Sequence, residues 1–168
     1  MEVLSKLRPV VKPGGIVTAG NASSLNDGAS AIIIASERAI KEYGLTARAR
    51  IVDGASAGVP PEIMGIGPVP ATQKVLQRSG ISLDQVGAFE LNEAFATQSL
   101  ACIRRLGVDE AIVNNDGGAI ALGHPLGSSG SRIAITLLGR MEREGASHGI
   151  ATMCVGVGQG TAMLIEAV

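Results

Sequence analysis

The sequence predicts an α/β fold: a mixed, five-stranded sheet with helices on both of its faces. Three observations predict this class. Short apolar runs rich in small and β-branched residues alternate with amphipathic segments, glycines stand between them, and two strand-like runs follow one another at the carboxy terminus. Alternating strands and helices are typical of parallel strands joined by crossover helices, whereas the closing pair predicts an antiparallel hairpin.

The first third of the chain predicts two strands with a helix between them. Residues 28–35 have the sequence GASAIIIA, a run of small and β-branched residues that is typical of a buried strand. Ser36 then caps a helix, and Gly44 ends it. Residues 49–58 form the next apolar run, which predicts the second strand.

The middle of the chain predicts a loop, two helices and a strand. Residues 59–70 are rich in Pro and Gly, which predicts a loop without regular structure. The amphipathic stretch 71–79 predicts a helix, and residues 86–91 predict a buried strand. The next helix is expected to begin close to Asn92 and to end at Gly107.

The last third of the chain completes the predicted sheet. Residues 111–114 predict a short strand, and the glycine-rich stretch 116–130 leads into a helix that continues to about Arg143. Residues 149–155 and 161–167 predict the two closing strands, with the sequence GVGQG between them.

The composition excludes several classes of protein. There are 14 basic and 15 acidic side chains, which give a net charge of −1, so nothing favours binding to a nucleic acid backbone. Apolar residues make up 46% of the chain, which excludes general disorder. No apolar run approaches the ~18 residues of a membrane span, and the start lacks a secretory signal, so we expect a cytoplasmic protein that does not bind membranes.

Cysteine and histidine are too few to build a metal site or a disulfide framework. The chain has 2 of each, and neither pair has the spacing of zinc ligands. Glycine is abundant instead, at 23 of 168 residues, against a usual share of ~7%. We therefore expect tight turns, backbone packed close to a ligand or another segment, and no bound metal.

Asn92 lies where a strand is followed by a helix, in the sequence NEAF. An Asn in this place commonly caps a helix. Ligands also gather at such junctions in open α/β sheets. The spacing of the residues leaves both interpretations open.

His124 lies in the glycine- and serine-rich segment 117–130. Pro125 suits the first position of a helix, which predicts that His124 stands at the positive end of that helix, where the neutral imidazole is favoured. A neutral imidazole can donate to a developing oxyanion or accept a proton from a thiol. The alternative is a histidine that only caps a turn.

Cys154 comes near the end of an apolar strand, just before Gly156 and Gly158. A cysteine in such a strand is commonly a small core residue, but glycines beside it would let a ligand approach the sulfur. Cys102 has no such neighbours, and we interpret it as structural and His148 as an exposed turn residue. The sequence contains neither a Walker loop nor a dinucleotide-binding glycine pattern.

Four segments together resemble the thiolase family. Three of them, which follow in the order and separation of the family's carboxy-terminal signatures, are NEAF at 92–95, GGAIALGHPLGSSGSR at 117–132 and CVGVGQG at 154–160. The fourth, GIVTAGNASSLNDGASA at 15–31, resembles the segment with which thiolases contact coenzyme A.

The resemblance implies a fold, a division of the chain and a reaction. Thiolases have two similar halves in a five-layered α/β sandwich and form homo-oligomers, and residues 1–35 resemble the end of the first half, residues 36–168 the carboxy-terminal domain. The implied activity is that of an acetyl-CoA acetyltransferase or 3-ketoacyl-CoA thiolase of lipid metabolism: reversible Claisen condensation of acyl-CoA thioesters, or thiolysis of a 3-ketoacyl-CoA. Coenzyme A and acyl-CoA are the implied substrates, with no separate cofactor.

The resemblance also assigns roles to single residues. Cys154 resembles the thiol that exchanges a proton with the substrate α-carbon, and His124 the group that activates a nucleophilic thiol and binds the thioester oxygen. Asn92 resembles the side chain that holds a water in that oxyanion hole, and the N–H of Gly156 resembles part of a second one. Residues similar to the lining of the pantetheine channel and acyl pocket are Ser23, Met64, Ala94 and Phe95, with Ala19 and Leu25 nearby.

The chain departs from the family at the acyl-accepting cysteine. Thiolases carry this nucleophile in their first half, and Cys102 does not resemble it, so we expect the chain to be inactive alone. The implied partner is an amino-terminal thiolase half or a second copy of the chain. The alternatives are a truncated thiolase and a non-catalytic module that binds acyl-CoA or a partner protein through the strand at 28–35.

Overall fold

The computed structural model describes residues 2–168 and contains one mixed sheet in the order β1-β4-β3-β2. Strands β2 and β3 run parallel, and the other two pairs are antiparallel. This confirms the α/β class and the closing hairpin, but the sheet has four strands and not five. The strands are β1 Ala49–Gly58, β2 Ala88–Leu91, β3 His148–Val155 and β4 Gln159–Ala167.

Five α-helices connect or flank the strands. They are α1 Glu37–Tyr43, α2 Pro68–Ser79, α3 Ala96–Leu106, α4 Ala119–Leu122 and α5 Ser129–Glu144. Short 3-10 helices cover Leu4–Lys6, Pro61–Ile66, Leu83–Gln85 and Glu110–Ile112. Helices α1 and α3 end at Gly44 and Gly107, as expected, and both glycines have the left-handed backbone that lets them close a helix.

The helices lie on both faces of the sheet, as the alternation of elements predicts. On β4, Leu164 packs into the core beneath α2 and α3, whereas the next residue, Ile165, packs beneath α5. Successive strand side chains point to opposite faces, so the all-apolar part of β4 serves two cores. Burying each of these side chains contributes about 1.5–3 kcal/mol, so both faces hold the sheet in place.

The strand expected at 28–35 does not form. These residues belong to no helix or strand, and Ile33 and Ile34 are 85% and 76% exposed. A β-strand is stable only when a neighbour accepts its backbone hydrogen bonds, and the part of the chain that the structure describes supplies no such neighbour here. The local sequence pattern was therefore right about apolar character and wrong about the element.

The strand expected at 111–114 is also wrong. A 3-10 helix covers Glu110–Ile112, and Val113 makes a single parallel bridge to Phe89. Asn114 has a φ of 51°, which turns the chain away from the sheet directly after that bridge.

Three helix starts differ from the prediction. The expected loop 59–70 contains a 3-10 helix, and α2 begins at Pro68, where the missing N–H of proline costs nothing. Helix α3 begins at Ala96, so Asn92 is not its cap. Helix α5 begins at Ser129, so Pro125 is not its first residue, although its carbonyl accepts the first hydrogen bonds of α5.

A buried arginine joins α5 to β2. Arg140 is fully buried and donates to the carboxylates of Glu90, at 3.0 Å, and Glu144, and to the backbone carbonyls of Phe89 and Ile112. Every nitrogen of the guanidinium has a partner, so the buried charge is compensated. This contact fixes the strand that leads into Asn92.

Among residues 2–168, no helix has the length and apolar character needed to cross a bilayer.

Candidate active site

The candidate site forms where the parallel strands β2 and β3 end. The N–H of Asn92 donates to the carbonyl of Thr152 at 3.0 Å, so Asn92 continues the pairing of the two strands. Cys154 follows two residues after Thr152, near the end of β3. Ligands commonly bind at the carboxyl ends of parallel strands, and both residues lie at that edge.

Asn92 and His124 are in contact. Asn92 Nδ2 lies 3.4 Å from His124 Nε2, and the Asn92 side chain is almost fully buried. On the other side of the ring, His124 Nδ1 lies 2.6 Å from Ser129 Oγ, whose hydrogen is donated to the Pro125 carbonyl at 3.0 Å. With the hydroxyl hydrogen directed to Pro125, Nδ1 donates to Ser129, and Nε2 carries an unprotonated lone pair that faces the Asn92 amide.

The surroundings of His124 favour its neutral form. Burial and the positive charge of Arg132 lower the pKa of His124 from its ordinary value. A neutral ring with a lone pair on Nε2 can accept a proton from a thiol, and it becomes a hydrogen-bond donor once it has done so.

The amino-terminal segment holds His124 in place. The N–H of His124 lies 3.1 Å from both the Ser24 carbonyl and Asn26 Oδ1, and Leu25 bridges His124 in parallel. The backbone of Gly123, with a φ of 99°, has the conformation that directs the chain into this contact.

Glu93 anchors the loop that leads to His124. Its Oε1 accepts from Asn114 Nδ2 at 3.3 Å, and its Oε2 accepts from the N–H of Ile120 at 3.1 Å, in the first turn of α4. A Cβ on Gly118 would collide with the Glu93 carboxylate. The glycine therefore makes room for the side chain that ties two loops together.

Cys154 lines a cleft of about 300 Å³ between α3 and the 3-10 helix Pro61–Ile66. The cleft residues are Glu62, Ile63, Met64, Gly65, Ile66, Phe95, Thr97, Gln98 and Cys154. Burial raises the pKa of the Cys154 thiol, so the resting side chain is a thiol and not a thiolate. A thiol in this state can donate a proton to a carbanion.

The other predicted binding residues divide into two groups. Ser23 donates to the Ala94 carbonyl from its N–H at 3.1 Å and from its Oγ at 3.3 Å, which brings the amino-terminal segment to the start of α3. Met64 and Phe95 line the cleft with Cys154, and Leu25 bridges His124.

Ala19 and Gly156 are not among the residues that line the cleft with Cys154. Ala19 is exposed in a turn three residues before the bridge between Ala22 and Phe95. Gly156 is exposed in the turn directly after β3, with open space where a Cβ would stand.

The second cysteine is part of the core, as expected. Cys102 is fully buried in α3 and donates to the Gly65 carbonyl at 3.2 Å, and burial raises the pKa of its thiol to about 11. The expectation for His148 was wrong, because His148 begins β3 and its side chain is only 15% exposed.

Three residues of the site have no role in the sequence interpretation. Ser129 fixes the ring of His124, Gln98 donates to the Gly65 carbonyl at 3.0 Å and lines the cleft, and Arg132 lies beside Asn92. Ser129 and Arg132 belong to the motif 117–132, but only their distance from His124 in space distinguishes them from its other polar residues.

Comparison with family models decides the family. The model "Thiolase, C-terminal domain" matches residues 45–167, and "Thiolase, N-terminal domain" matches residues 1–38. The chain belongs to the thiolase family. The resemblance in the four motifs is thereby confirmed.

Two thiolases illustrate the similarity. The chain is 57% identical to the beta-ketoadipyl-CoA thiolase of Pseudomonas aeruginosa, over 100% of this chain and 42% of the relative. It is 58% identical to the 3-ketoacyl-CoA thiolase of Aliivibrio salmonicida, over 99% of this chain and 44% of the relative. The chain thus spans less than half the length of the thiolases it matches.

Solved structures of thiolases share the fold. The human mitochondrial 3-ketoacyl-CoA thiolase superposes with a TM-score of 0.97 at 51% identity, over 99% of this chain and 42% of that chain, and it is also known in complex with CoA. The Bacillus anthracis acetyl-CoA acetyltransferase gives a TM-score of 0.96 at 47% identity, with the same coverage of both chains.

Within residues 2–168, no group of three or more His, Cys, Asp or Glu could hold a metal ion.

Proposed function

We propose that the chain supplies the proton-transfer groups of a thiolase-type acyl-CoA acyltransferase. The reaction is the reversible Claisen condensation of acetyl-CoA with an acyl-CoA, or the thiolysis of a 3-ketoacyl-CoA. The observation that carries the proposal is the contact of Asn92 with His124 at 3.4 Å, at the sheet edge where Cys154 also lies. Membership of the thiolase family supports it.

His124 is the base that activates a thiol in this proposal. In thiolysis, Nε2 accepts the proton of the coenzyme A thiol, and the thiolate attacks the acyl group carried by the nucleophilic cysteine from outside the chain. The resulting imidazolium donates from Nε2 to the developing oxyanion, beside Asn92. The bond between the acyl group and that cysteine breaks, and the leaving sulfur takes up the proton. The unprotonated Nε2, which donation from Nδ1 to Ser129 favours, supports this order of events.

Cys154 exchanges a proton with the substrate α-carbon. In thiolysis, carbon–carbon cleavage leaves an enolate, which takes the proton of the Cys154 thiol; in condensation, the thiolate removes that proton again. The raised pKa of Cys154 supports the thiol as its resting form. The N–H of Gly156 faces the second oxyanion, and Ser23, Met64, Ala94, Phe95, Ala19 and Leu25 line the path of the substrate.

The nucleophile that carries the acyl group comes from outside this chain. Both cysteines of the chain are assigned, Cys102 to the core and Cys154 to proton transfer. The partner that supplies the nucleophile is therefore an amino-terminal thiolase half. A second copy of the chain, the other implied partner, carries the same two cysteines and would associate without supplying the nucleophile. The family matches at 1–38 and 45–167 support a division into the end of a first half, 1–35, and a carboxy-terminal domain, 36–168.

A complementation assay tests this function. The purified chain is mixed with the first half of a related thiolase, co-elution of the two is verified, and thiolysis of acetoacetyl-CoA is measured. We expect turnover by the complex, none by the chain alone, and none by complexes that carry His124→Ala or Cys154→Ala. Cys102→Ala is the matched control and should retain turnover.

Two outcomes contradict the proposal. A co-eluting complex without turnover would show that the chain is not the complementary half. Turnover by the chain alone would show that it needs no nucleophile from elsewhere.

A second candidate is a module that binds acyl-CoA or a partner without catalysis. The exposed apolar residues at 28–35 favour it, because such a surface is suited to pairing with another chain. Calorimetry with coenzyme A separates the two functions. Heat of binding together with an inactive complex supports the module, whereas no binding at millimolar ligand excludes it.

Location and assembly are part of the same proposal. We infer a cytoplasmic homo-oligomer whose substrates are acyl-CoA and coenzyme A. One solved neighbour is a mitochondrial protein, so cell fractionation decides the location. Sedimentation of the complemented enzyme decides the oligomeric state.

A further inference from the structure

Arg132 lies beside the Asn92–His124 pair without the partners that a buried arginine usually has. It stands on α5, one turn after Ser129, and its Nη2 lies 3.5 Å from Asn92 Oδ1. Its Nε and Nη1 are buried, and neither has a hydrogen-bond acceptor within residues 2–168. A guanidinium held in this way is not explained by packing alone.

A second arginine on the same helix shows what a structural role looks like. Arg140 stands two turns further along α5, is fully buried and has an acceptor for each of its nitrogens. Both arginines face β2 and the residues that follow it. All nitrogens of Arg140 have hydrogen-bond acceptors, and the residue stabilises the fold. Arg132, in contrast, has donors without acceptors and carries its charge beside the candidate site.

We propose that Arg132 is the positioning residue of the Asn92–His124 pair: it fixes the orientation of the Asn92 amide and keeps His124 Nε2 in the neutral, proton-accepting state. The inference rests on the proposed function, since it gives the reason why His124 can act as a base. Arg132 contacts Asn92 and acts on His124 through the amide and through its charge.

The orientation of the amide follows from the chemistry of the guanidinium. Arginine can only donate, so the atom of Asn92 that faces it must be the oxygen. The Nδ2 of Asn92 then faces His124, where it needs an acceptor, and Nε2 is the atom it meets. Donation from Nδ1 to Ser129, with the hydroxyl hydrogen directed to Pro125, corresponds to the same tautomer. Arg132 and Ser129 thus act from opposite sides of the imidazole, and both favour the tautomer with hydrogen on Nδ1 and a lone pair on Nε2.

The positive charge of Arg132 also favours the neutral form of His124. It is the cation near the imidazole, and together with burial it lowers the pKa of His124. The acidic groups around the site are Glu90 on β2, Glu93 after it, and Asp27, which lines a surface depression with Pro125. Burial lowers the pKa of Arg132, and the charges of Glu90 and Glu93 oppose that shift. Cys154, the remaining titratable group of the sheet edge, is an uncharged thiol at rest.

Histidine NMR of the chain tests the charge effect without any need for catalysis. The two histidines are assigned with His148→Gln, and the pH midpoint of His124 is followed in four proteins. We expect an upward shift of the midpoint in Arg132→Gln, no shift in Arg132→Lys, which retains the charge, and no shift in Arg104→Gln, which removes an exposed arginine of α3. An unchanged midpoint in Arg132→Gln overturns the inference.

The tautomer of His124 is a second readout, and it uses the unmodified chain. Nitrogen chemical shifts distinguish the two neutral forms, and we expect hydrogen on Nδ1 and none on Nε2. A hydrogen on Nε2 means that the Asn92 amide points the other way, which overturns the role of Arg132 even if Arg132→Gln fails to fold.

Kinetics of the complemented enzyme connect the pair to the reaction. We expect Arg132→Gln to lower kcat roughly tenfold, the equivalent of one hydrogen bond, with KM for coenzyme A unchanged, and to move the acidic limb of the pH profile to higher pH. Unchanged kcat and profile contradict the inference. If the wild-type complex shows no thiolysis, the proposed function fails, while the NMR midpoints still decide the effect of Arg132 on His124.

Discussion

Asn114 bonds both backbone groups of Leu91 with its side chain. Its Nδ2 donates to the Leu91 carbonyl and its Oδ1 accepts from the Leu91 N–H, each at 2.8 Å. The amide does what a neighbouring strand would do at the end of β2, just before Asn92. A single side chain therefore replaces the strand that the sequence predicted at 111–114.

Replacing Asn114 by Ala should destabilise the chain. The change removes two hydrogen bonds to part-buried backbone groups and the bond to Glu93, and we expect the free energy of unfolding to fall by about 1–3 kcal/mol in urea denaturation. Asn115→Ala is the control, since its amide makes one exposed bond, to the Ala111 carbonyl. Equal losses in the two variants would mean that Asn114 does not substitute for a strand.

Gly118→Ala should disturb the loop that carries His124. The added methyl group would collide with the Glu93 carboxylate, so Glu93 must release Asn114 and Ile120. We expect lower thermal stability and a loss of thiolysis in the complemented enzyme. Gly127→Ala adds the same methyl group with open space around it and should change neither, so equal effects would contradict the role of Glu93.

Ser129→Ala should reduce turnover without unfolding the chain. It removes the acceptor that holds His124 Nδ1, so the ring is no longer held in one tautomer and one orientation. We expect kcat of the complemented enzyme to fall roughly tenfold, as for one lost hydrogen bond. Ser131→Ala removes a hydroxyl from the same turn of α5 that does not contact His124. If both variants turn over equally, Ser129 does not orient the base.

Alkylation tests the resting state of Cys154. A raised pKa means a smaller thiolate fraction at a given pH, so iodoacetamide should react with Cys154 more slowly than with free cysteine at pH 7, with a rate that rises as the pH is increased. The measurement uses Cys102→Ala, which leaves one thiol. Faster reaction than free cysteine at pH 7 would identify Cys154 as a resting thiolate and contradict its assignment as a proton donor.

Local sequence patterns predicted the elements that depend on residues close to them in the sequence. The α/β class follows from the alternation of apolar runs and amphipathic segments, and the ends of α1 and α3 follow from glycines that adopt a left-handed backbone. Residues 28–35 have the composition of a strand, but their pattern does not state which segment pairs with them. The same limit explains why Asn114 was interpreted as part of a strand.

The candidate site was predicted in its types of residue and not in its contacts. Asn92 was indicated by its place between a strand and a helix, and His124 and Cys154 by the glycines near them, while the resemblance to thiolases implied their roles. Ser129 and Arg132 acquire meaning only when α5 folds back and places them around the imidazole. The raised pKa of Cys154 likewise depends on burial, which no local pattern specifies.

Exchange of the substrate α-proton tests the central claim most directly. The first half of a related thiolase, with its nucleophilic cysteine replaced by Ala, is joined to the chain so that acyl transfer is blocked. Incorporation of deuterium into acetyl-CoA is then followed by NMR in D2O. If Cys154 and its neighbours handle the enolate, exchange proceeds with Cys154 present and falls to the uncatalysed rate in Cys154→Ala. Equal exchange with and without Cys154 would contradict the account.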